Sequence, residues 1–292
     1  MSLESPALIT FDQAKEDFEL IMKKIIARRP QLREFVGIYP ETEVAEDESF
    51  VDLKKRFEVE GKEEDIYAEH CLIELIDSKE LFENDSVFVC PGSEFDDRKS
   101  GADLVVTFYE DNGTVFHFSI DVKAGLTAES ENVADAVYTV VGKLRAGQMP
   151  TAKYYQYPNT AAGRHFVKTK KIIQLPNLII HVEPSALVQY MAALSKSKEA
   201  RTVEEKRQVD FFKLETYRRM EAICLKFIGV INERLTEGER SIESKLKITL
   251  LLYEKLLKKI QKYQSEYKIV AGGTGKRKLV RAIERERKTE GV

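Results

Sequence analysis

Two aspartates and a lysine lie near the base of a predicted β-hairpin. Asp103 precedes a run rich in Val, Phe and Thr, and Asp121-Val-Lys123 closes a second run of this kind. The segment 111–113 between the runs, Asp-Asn-Gly, is typical of a three-residue turn with its glycine in the left-handed conformation. In the register that this turn sets, Asp103 lies opposite Asp121, and Gly101 lies opposite Lys123.

This constellation has the chemistry of metal-assisted hydrolysis. Like charges directly opposite each other destabilise a strand pair, so the two carboxylates need a compensating cation. Mg²⁺ binds carboxylate oxygens and usually keeps several waters. Lys123 would lie on the same face as Asp121, where an ammonium group can orient or deprotonate a water, or stabilise developing negative charge. The alternative is a solvated outer sheet face with charges at its rim.

The opposite face of the hairpin tests the register. Successive side chains of a strand point to opposite faces of the sheet. A two-residue loop would put the two aspartates on opposite faces, whereas the three-residue loop puts them on one face and leaves the other apolar. That apolar face comprises Leu104, Val106, Phe108, Phe116, Phe118, Ile120 and Val122.

The segments 100–103 (Ser-Gly-Ala-Asp) and 119–123 (Ser-Ile-Asp-Val-Lys) resemble the motif of the PD-(D/E)xK nuclease superfamily. The resemblance covers about residues 60–185. Ala102 stands where proline is usual, and Asp121 stands where glutamate is more frequent. The resemblance implies a restriction-endonuclease-like fold in which Asp103, Asp121 and the backbone carbonyl of Val122 hold Mg²⁺, with Mn²⁺ as a possible substitute. Lys123 would position or activate the nucleophile.

Glu69 is a further candidate on a helix predicted over residues 63–78. It falls inside the apolar stripe formed by Ile66, Ile73 and Ile76. A carboxylate in such a stripe either reaches past it to solvent or points into a site. Nucleases similar to this sequence place an acidic residue on the helix before the core sheet, so Glu69 is included among the predicted catalytic residues.

Residues 143–171 contain no Asp or Glu, although the chain as a whole is acidic, with a formal net charge of −3. Basic residues interleaved with tyrosines are typical of a nucleic-acid contact, although a long surface loop with chance charge is the alternative. The polar loop predicted over 93–100 leads into Asp103 and either contacts a phosphate or is an ordinary charged loop. The predicted DNA-binding residues are Arg98, Lys99, Lys143, Arg145, Lys153, Tyr154, Arg164, Lys168 and Lys170.

The composition limits the class of protein. Of the 292 residues, 43% are hydrophobic and 33% are charged, so any nucleic-acid footprint must be local. Three cysteines without paired spacing, and no long apolar segment, predict a cytoplasmic protein outside the membrane. The lack of Cys/His clusters argues against zinc.

The pattern of the whole chain predicts one α/β domain over residues 1–292. Its core, about residues 60–185, would be a mixed β-sheet flanked by helices, with strands at 86–90, 102–109, 114–122 and 177–182. An acidic, solvated connector is predicted at 41–65. A helical C-terminal region follows over about 186–270, and a basic tail over 271–292. The long helices predicted at 203–236 and 241–267 either pack together or form part of a dimer interface.

The resemblance therefore implies Mg²⁺-dependent hydrolysis of phosphodiester bonds in double-stranded DNA. In organisation the chain is most similar to type II restriction endonucleases. A homodimer is expected, since cutting both strands of a palindromic site calls for two-fold symmetry. A repair or recombination nuclease of the same fold, and a non-catalytic DNA-binding or interaction protein, are the alternatives.

Overall fold

A computed structural model describes residues 9–57, 63–82, 87–125, 131–158, 166–169, 171–172, 174–238 and 240–270. In these residues the chain forms eight α-helices and six β-strands. The helices are α1 (Phe11–Ile26), α2 (Glu41–Phe57), α3 (Glu63–Asp77), α4 (Glu94–Ser100), α5 (Glu131–Arg145), α6 (Pro184–Leu194), α7 (Val203–Thr236) and α8 (Glu243–Val270), and a 3₁₀ turn covers Leu32–Phe35. The strands are β1 (Val87–Pro91), β2 (Leu104–Tyr109), β3 (Val115–Ala124), β4 (Tyr155–Pro158), β5 (Phe166–Thr169) and β6 (Asn177–Val182).

The main sheet is mixed, which confirms the predicted α/β class. Its strand order is β1-β2-β3-β6, with β1, β2 and β3 antiparallel and β6 parallel to β3. Leu104 pairs with Ile120, which is the predicted hairpin register. Gly113 has a φ of 79°, so the turn is the predicted one with glycine in the left-handed region. The register brings the two strand ends that carry the aspartates together.

One face of this sheet forms the main hydrophobic core. All seven predicted apolar residues of the hairpin are buried there. Residues from α1, α3, α5, α6, α7 and α8 belong to the same cluster. Burial of side chains of this size is worth about 1.5–3 kcal/mol each, so the core fixes β2 and β3 firmly. The strand ends that carry the candidate site are therefore rigidly positioned.

The other face is polar and covered rather than solvated. Thr107 and Ser119 are fully buried. Oγ1 of Thr107 lies 2.9 Å from Nδ1 of His117, and Oγ of Ser119 donates to Oδ1 of Asn177 over 2.9 Å. A small cluster that includes Tyr155 of β4 packs over this face. The solvated-face alternative is therefore wrong for the middle of the sheet.

Two predicted loops are helices. The acidic stretch that begins at residue 41 forms α2, whose Val44 and Val51 are buried, so the predicted connector is wrong for residues 41–57. The predicted polar loop at 93–100 contains α4, capped by Oγ of Ser93, which accepts from the backbone N–H of Asp96 over 3.1 Å. Apolar residues in α2 are too sparse to give a strong helical pattern.

The C-terminal helices confirm the predicted packing. α7 has the predicted bounds, and α8 packs along it with the rings of Phe227 and Tyr253 5.7 Å apart. Leu246, Tyr253 and Ile260 of α8 are buried. None of the described helices has the length and apolar character needed to cross a membrane. The predicted basic tail lies outside the described residues.

Candidate active site

The structure brings Asp103, Asp121 and Lys123 together at one end of the main sheet. The backbone N–H of Val122 donates to Oδ2 of Asp103 over 2.6 Å, which fixes that carboxylate to β3. Nζ of Lys123 lies 2.6 Å from Oδ1 of Asp121 and 3.9 Å from Oδ2 of Asp103. The three side chains form one charged cluster, as the hairpin register predicts.

Two glycines allow the backbone to approach this cluster closely. Gly101 ends α4 with a φ of 69°, and a Cβ at this position would lie 3.2 Å from Oδ2 of Asp121. Gly92 donates its N–H to the backbone oxygen of Asp103 over 2.7 Å. A Cβ on Gly92 would lie 1.9 Å from the backbone oxygen of Ala102, which is impossible without movement. These glycines let α4 turn directly into β2.

Glu69 points into the same cleft from α3. Its carboxylate is buried, and Oε1 accepts from Nη2 of Arg29 over 3.1 Å. The prediction placed Glu69 beside Ile66, but Ile66 is 46% exposed and lies outside the core. The alternative in which Glu69 turns inward is therefore the one that the structure adopts.

Sequence reasoning missed several charged residues of the cleft, among them Asp65, Asp97 and Arg29. Asp65 lies one helical turn before Glu69, and its carboxylate accepts a hydrogen bond from the backbone N–H of Ala124. Asp97 of α4 and Arg29 after α1 also line the cleft. The four-residue spacing of Asp65 and Glu69 puts both on one helix face and was the available signal. No comparable signal indicated Arg29 or Asp97, because neither of them belongs to α3.

The carboxylates crowd one another electrostatically. Burial, and then the charge of Asp103, raise the pKa of Asp121 and of Glu69 to about 8, and the pKa of Asp97 to about 7. Burial by itself would favour the neutral amine of Lys123, but Asp103 and Asp121 outweigh it and raise the pKa of Lys123. Lys123 is therefore a cation at neutral pH, and the cluster has a strong demand for positive charge.

The cluster divides an open cleft into two arms. The α5 arm, of about 600 Å³, lies between the end of α4 and one face of α5, and Asp121 faces it. The α3 arm, of about 650 Å³, lies between α3, α4 and the segment after α1, and Asp103 faces it. Asp65, Asp97, Arg98 and Lys123 line both arms.

Three of the predicted DNA-binding residues line this cleft. Arg98 and Lys99 reach it from α4, and Lys143 reaches it from α5. Nζ of Lys99 also lies 5.2 Å from the ring centre of Phe50. These residues give the cleft basic side chains close to the carboxylates.

Most of the remaining predicted residues lie elsewhere. Lys153 is bound by the acidic helix α2, with Nζ 2.6 Å from Oε1 of Glu43 and in contact with the carboxylate of Asp47. Tyr154 is buried, and its hydroxyl donates to Asp47 over 2.6 Å. Nζ of Lys168 donates to the backbone oxygen of Glu34 over 2.9 Å. Arg145 is exposed on α5 and lines neither arm of the cleft, so it lies apart from the candidate site. Arg164 and Lys170 lie outside the described residues.

The donor set fits a hydrated hard cation rather than a cage of protein ligands. In the part of the chain that the structure describes, no three His, Cys, Asp or Glu side chains are arranged to hold a metal ion. Mg²⁺ needs only one or two carboxylates because it keeps several waters. Oδ1 of Asp121 is buried and accepts no hydrogen bond in the described chain, and Lys123 is its ion-pair neighbour. Asp103 and Asp121 are thus suitable ligands.

Comparison with known proteins finds no match to a protein-family model, to a curated protein or to a solved structure. The residues of the cleft are therefore the basis for assigning a function.

Proposed function

We propose that this protein is a Mg²⁺-dependent endonuclease with a restriction-endonuclease-like fold that hydrolyses phosphodiester bonds in double-stranded DNA. The observation that carries the proposal is the meeting of Asp103, Asp121 and Lys123 at one sheet end, in a cleft open to solvent. Nothing about folding calls for two buried carboxylates at this place, since burial, and then the charge of Asp103, raise the pKa of Asp121. Such an arrangement is typical of sites that bind a divalent cation.

Each residue has a role that follows from its position. Asp103 and Asp121, with the backbone carbonyl of Val122, would hold Mg²⁺, and Mn²⁺ would substitute. When bound, this cation offsets charge on the phosphate and lowers the pKa of a water molecule. Lys123 keeps its proton, so it stabilises negative charge on the phosphate and orients the attacking water rather than removing a proton from it. Glu69, fixed by Arg29, orders water in the α3 arm.

Within this class we propose a type II restriction endonuclease that acts as a homodimer. The supporting features are the four-stranded core with its helical C-terminal hairpin and the acidic pair at the strand ends. A palindromic DNA site would require two copies of this cleft related by two-fold symmetry.

Incubation with supercoiled plasmid DNA tests the proposal. We expect wild-type protein to cut the plasmid with Mg²⁺ and with Mn²⁺, and to be inactive in EDTA. Discrete fragments would indicate a recognition site, whereas a smear would indicate a nuclease without sequence preference. Asp121→Asn is the inactive control, and Arg145→Gln, on the exposed side of α5, is the active one. An inactive wild type, or an Asp121→Asn variant as active as wild type, would overturn the proposal.

A further inference from the structure

The two arms of the cleft differ in charge, although they share the catalytic cluster. Of the described residues, four acidic and four basic side chains line the α5 arm. The α3 arm is lined by five acidic side chains and three basic ones. The acidic arm repels a phosphate and attracts a cation, whereas the α5 arm is neutral overall. A polyanion therefore enters the cleft more favourably along α5.

Lys143 is the distinctive residue of the α5 arm. Its side chain is half-buried, and within the residues that the structure describes it makes no hydrogen bond or ion pair. Burial lowers the pKa of Lys143, while the carboxylate of Asp121 acts against that effect. A partly desolvated ammonium group that has no partner lowers the stability of the fold unless an anion binds to it. Lys143 is therefore placed to bind an anionic group that enters the arm from solvent.

Polar residues on α5 extend the arm along one side of the helix. Asn132 and Thr139 line the arm together with Lys143. They are spaced seven and four residues apart, so they lie on one face of the helix. The buried face of α5 consists of Val133, Val137, Val140 and Leu144, and of these only Val140 also lines the arm. The helix thus presents two uncharged hydrogen-bonding side chains and the carboxylate of Asp135 to the arm, and this surface ends in the ammonium group of Lys143 beside the catalytic cluster.

We infer that the α5 arm is the subsite for the phosphodiester group next to the one that is cleaved, with Lys143 as its charged contact. Thr139 and Asn132 contact the same strand further along. The cation lies at the cluster between the two arms, and the α3 arm takes water and excludes the nucleic-acid backbone. This inference rests on the proposed function and deepens it, because it assigns the side of the cluster along which the DNA strand runs.

A matched pair of variants on one helix tests the inference. Lys143→Gln and Arg145→Gln remove the same charge, but only Lys143 lines the cleft. Affinity for a fluorescent duplex is measured by anisotropy in Ca²⁺ over a range of salt concentrations, and gels verify that the duplex stays intact. We expect Lys143→Gln to weaken binding about tenfold at low salt, the effect of one charge-assisted hydrogen bond. Its salt slope should fall by about 1, while Arg145→Gln stays close to wild type.

A second probe separates this inference from the proposed function. The phosphorylated dinucleotide pdTpdT is titrated calorimetrically into each variant, because it can occupy the subsite whether or not the protein cleaves DNA. Weaker binding of pdTpdT by Lys143→Gln alone supports the subsite even if the plasmid is not cut. Equal affinities of Lys143→Gln and Arg145→Gln for both probes would overturn the subsite even if the plasmid is cut. Failure of wild type to bind either probe would also overturn it. Thermal unfolding of both variants controls for damage to the fold.

Discussion

Lys123 carries its positive charge between two carboxylates that are more buried than it is. Asp121 and Asp103 both raise its pKa, so the ammonium form dominates at neutral pH. In the proposed reaction its contribution is therefore electrostatic, and the charge of the side chain should matter more than the identity of the amine. The spacing of Asp121 and Lys123 left open whether Lys123 removes a proton from water or stabilises negative charge, and a protonated Lys123 can only do the second.

We expect Lys123→Met and Asp103→Ala each to slow DNA cleavage by at least about a hundredfold, which corresponds to about 3 kcal/mol of transition-state stabilisation. Lys123→Arg should keep a measurable part of the activity because it keeps the charge. Single-turnover rates on one plasmid substrate measure this, with circular dichroism as the control for folding. If Lys123→Met cut as fast as wild type, the electrostatic role would be excluded.

The raised pKa of Asp121 also predicts a pH dependence of stability. An unfolded aspartate has a pKa of about 3.9, whereas the pKa of Asp121 in the fold is about 8. Between these values the folded protein holds a proton that the unfolded chain has lost, so stability falls as pH rises and levels off above about pH 8. Asp121→Asn removes this pH-dependent contribution to stability, because asparagine does not titrate. Its gain in melting temperature over wild type, in EDTA, should be larger at about pH 8.5 than at about pH 5.

Melting curves of the two proteins at both pH values give this difference directly. An equal gain at both pH values would mean that Asp121 titrates normally. Addition of Mg²⁺ should raise the melting temperature of wild type more than that of Asp121→Asn, because a ligand that binds only the folded state stabilises it.

At the scale of elements, α2 and the segment that leads into β4 form an acidic–basic contact. Glu43 and Asp47 hold Lys153, and Nζ of Lys153 lies 4.9 Å from the ring centre of Tyr39 and 5.3 Å from that of Tyr154. α2 therefore neutralises Lys153 of the basic stretch. In the proposed function, DNA contact falls to the basic residues that line the cleft.

Lys153→Gln should lower the free energy of unfolding by about 1–2 kcal/mol, because it removes the ion pairs with Glu43 and Asp47 and the cation–π contacts of Lys153. DNA affinity and its salt dependence should stay close to wild type. Urea unfolding and anisotropy measure the two effects, and Lys226→Gln, exposed on α7, is the matched control. Weaker DNA binding with unchanged stability would instead make Lys153 part of the nucleic-acid surface.

The helix α8 supports the site through Tyr253. The hydroxyl of Tyr253 donates to the backbone oxygen of Asn177 over 3.0 Å and accepts from its N–H over 3.1 Å. Asn177 in turn lines the α5 arm. Tyr253→Phe leaves two buried backbone groups unpaired, which should cost about 1–3 kcal/mol of stability. Tyr138→Phe, at a residue that is 79% exposed, should be neutral in the same urea titration. Equal stability of the two variants would contradict this support.

At the scale of the whole molecule, the apolar seam of α8 is buried within a single chain, where α8 packs against α7. Leu246, Tyr253 and Ile260 are buried within one chain, so the seam itself does not require a partner. The homodimer remains a prediction that rests on the symmetry of double-strand cleavage. Sedimentation velocity at micromolar concentration should give a dimer, either free or with DNA. A monomer under both conditions would count against a type II restriction endonuclease.

The sequence by itself determined the hairpin and its chemistry. Period-two alternation allows only one register that keeps a face apolar, and Gly113 specifies the turn, so the meeting of Asp103, Asp121 and Lys123 was predictable. The bounds of α7 also followed, because they depend on local periodicity.

The tertiary structure alone decided which charges belong to the site. Glu69 turned inward because Arg29, distant in sequence, meets it in the cleft. Lys143 and Lys153 are both lysines of the segment that contains no Asp or Glu, yet of the two only Lys153 forms ion pairs with α2. Periodicity specifies which face of an element is apolar, but the partner of a charged side chain depends on how elements dock, and docking is set by long-range packing.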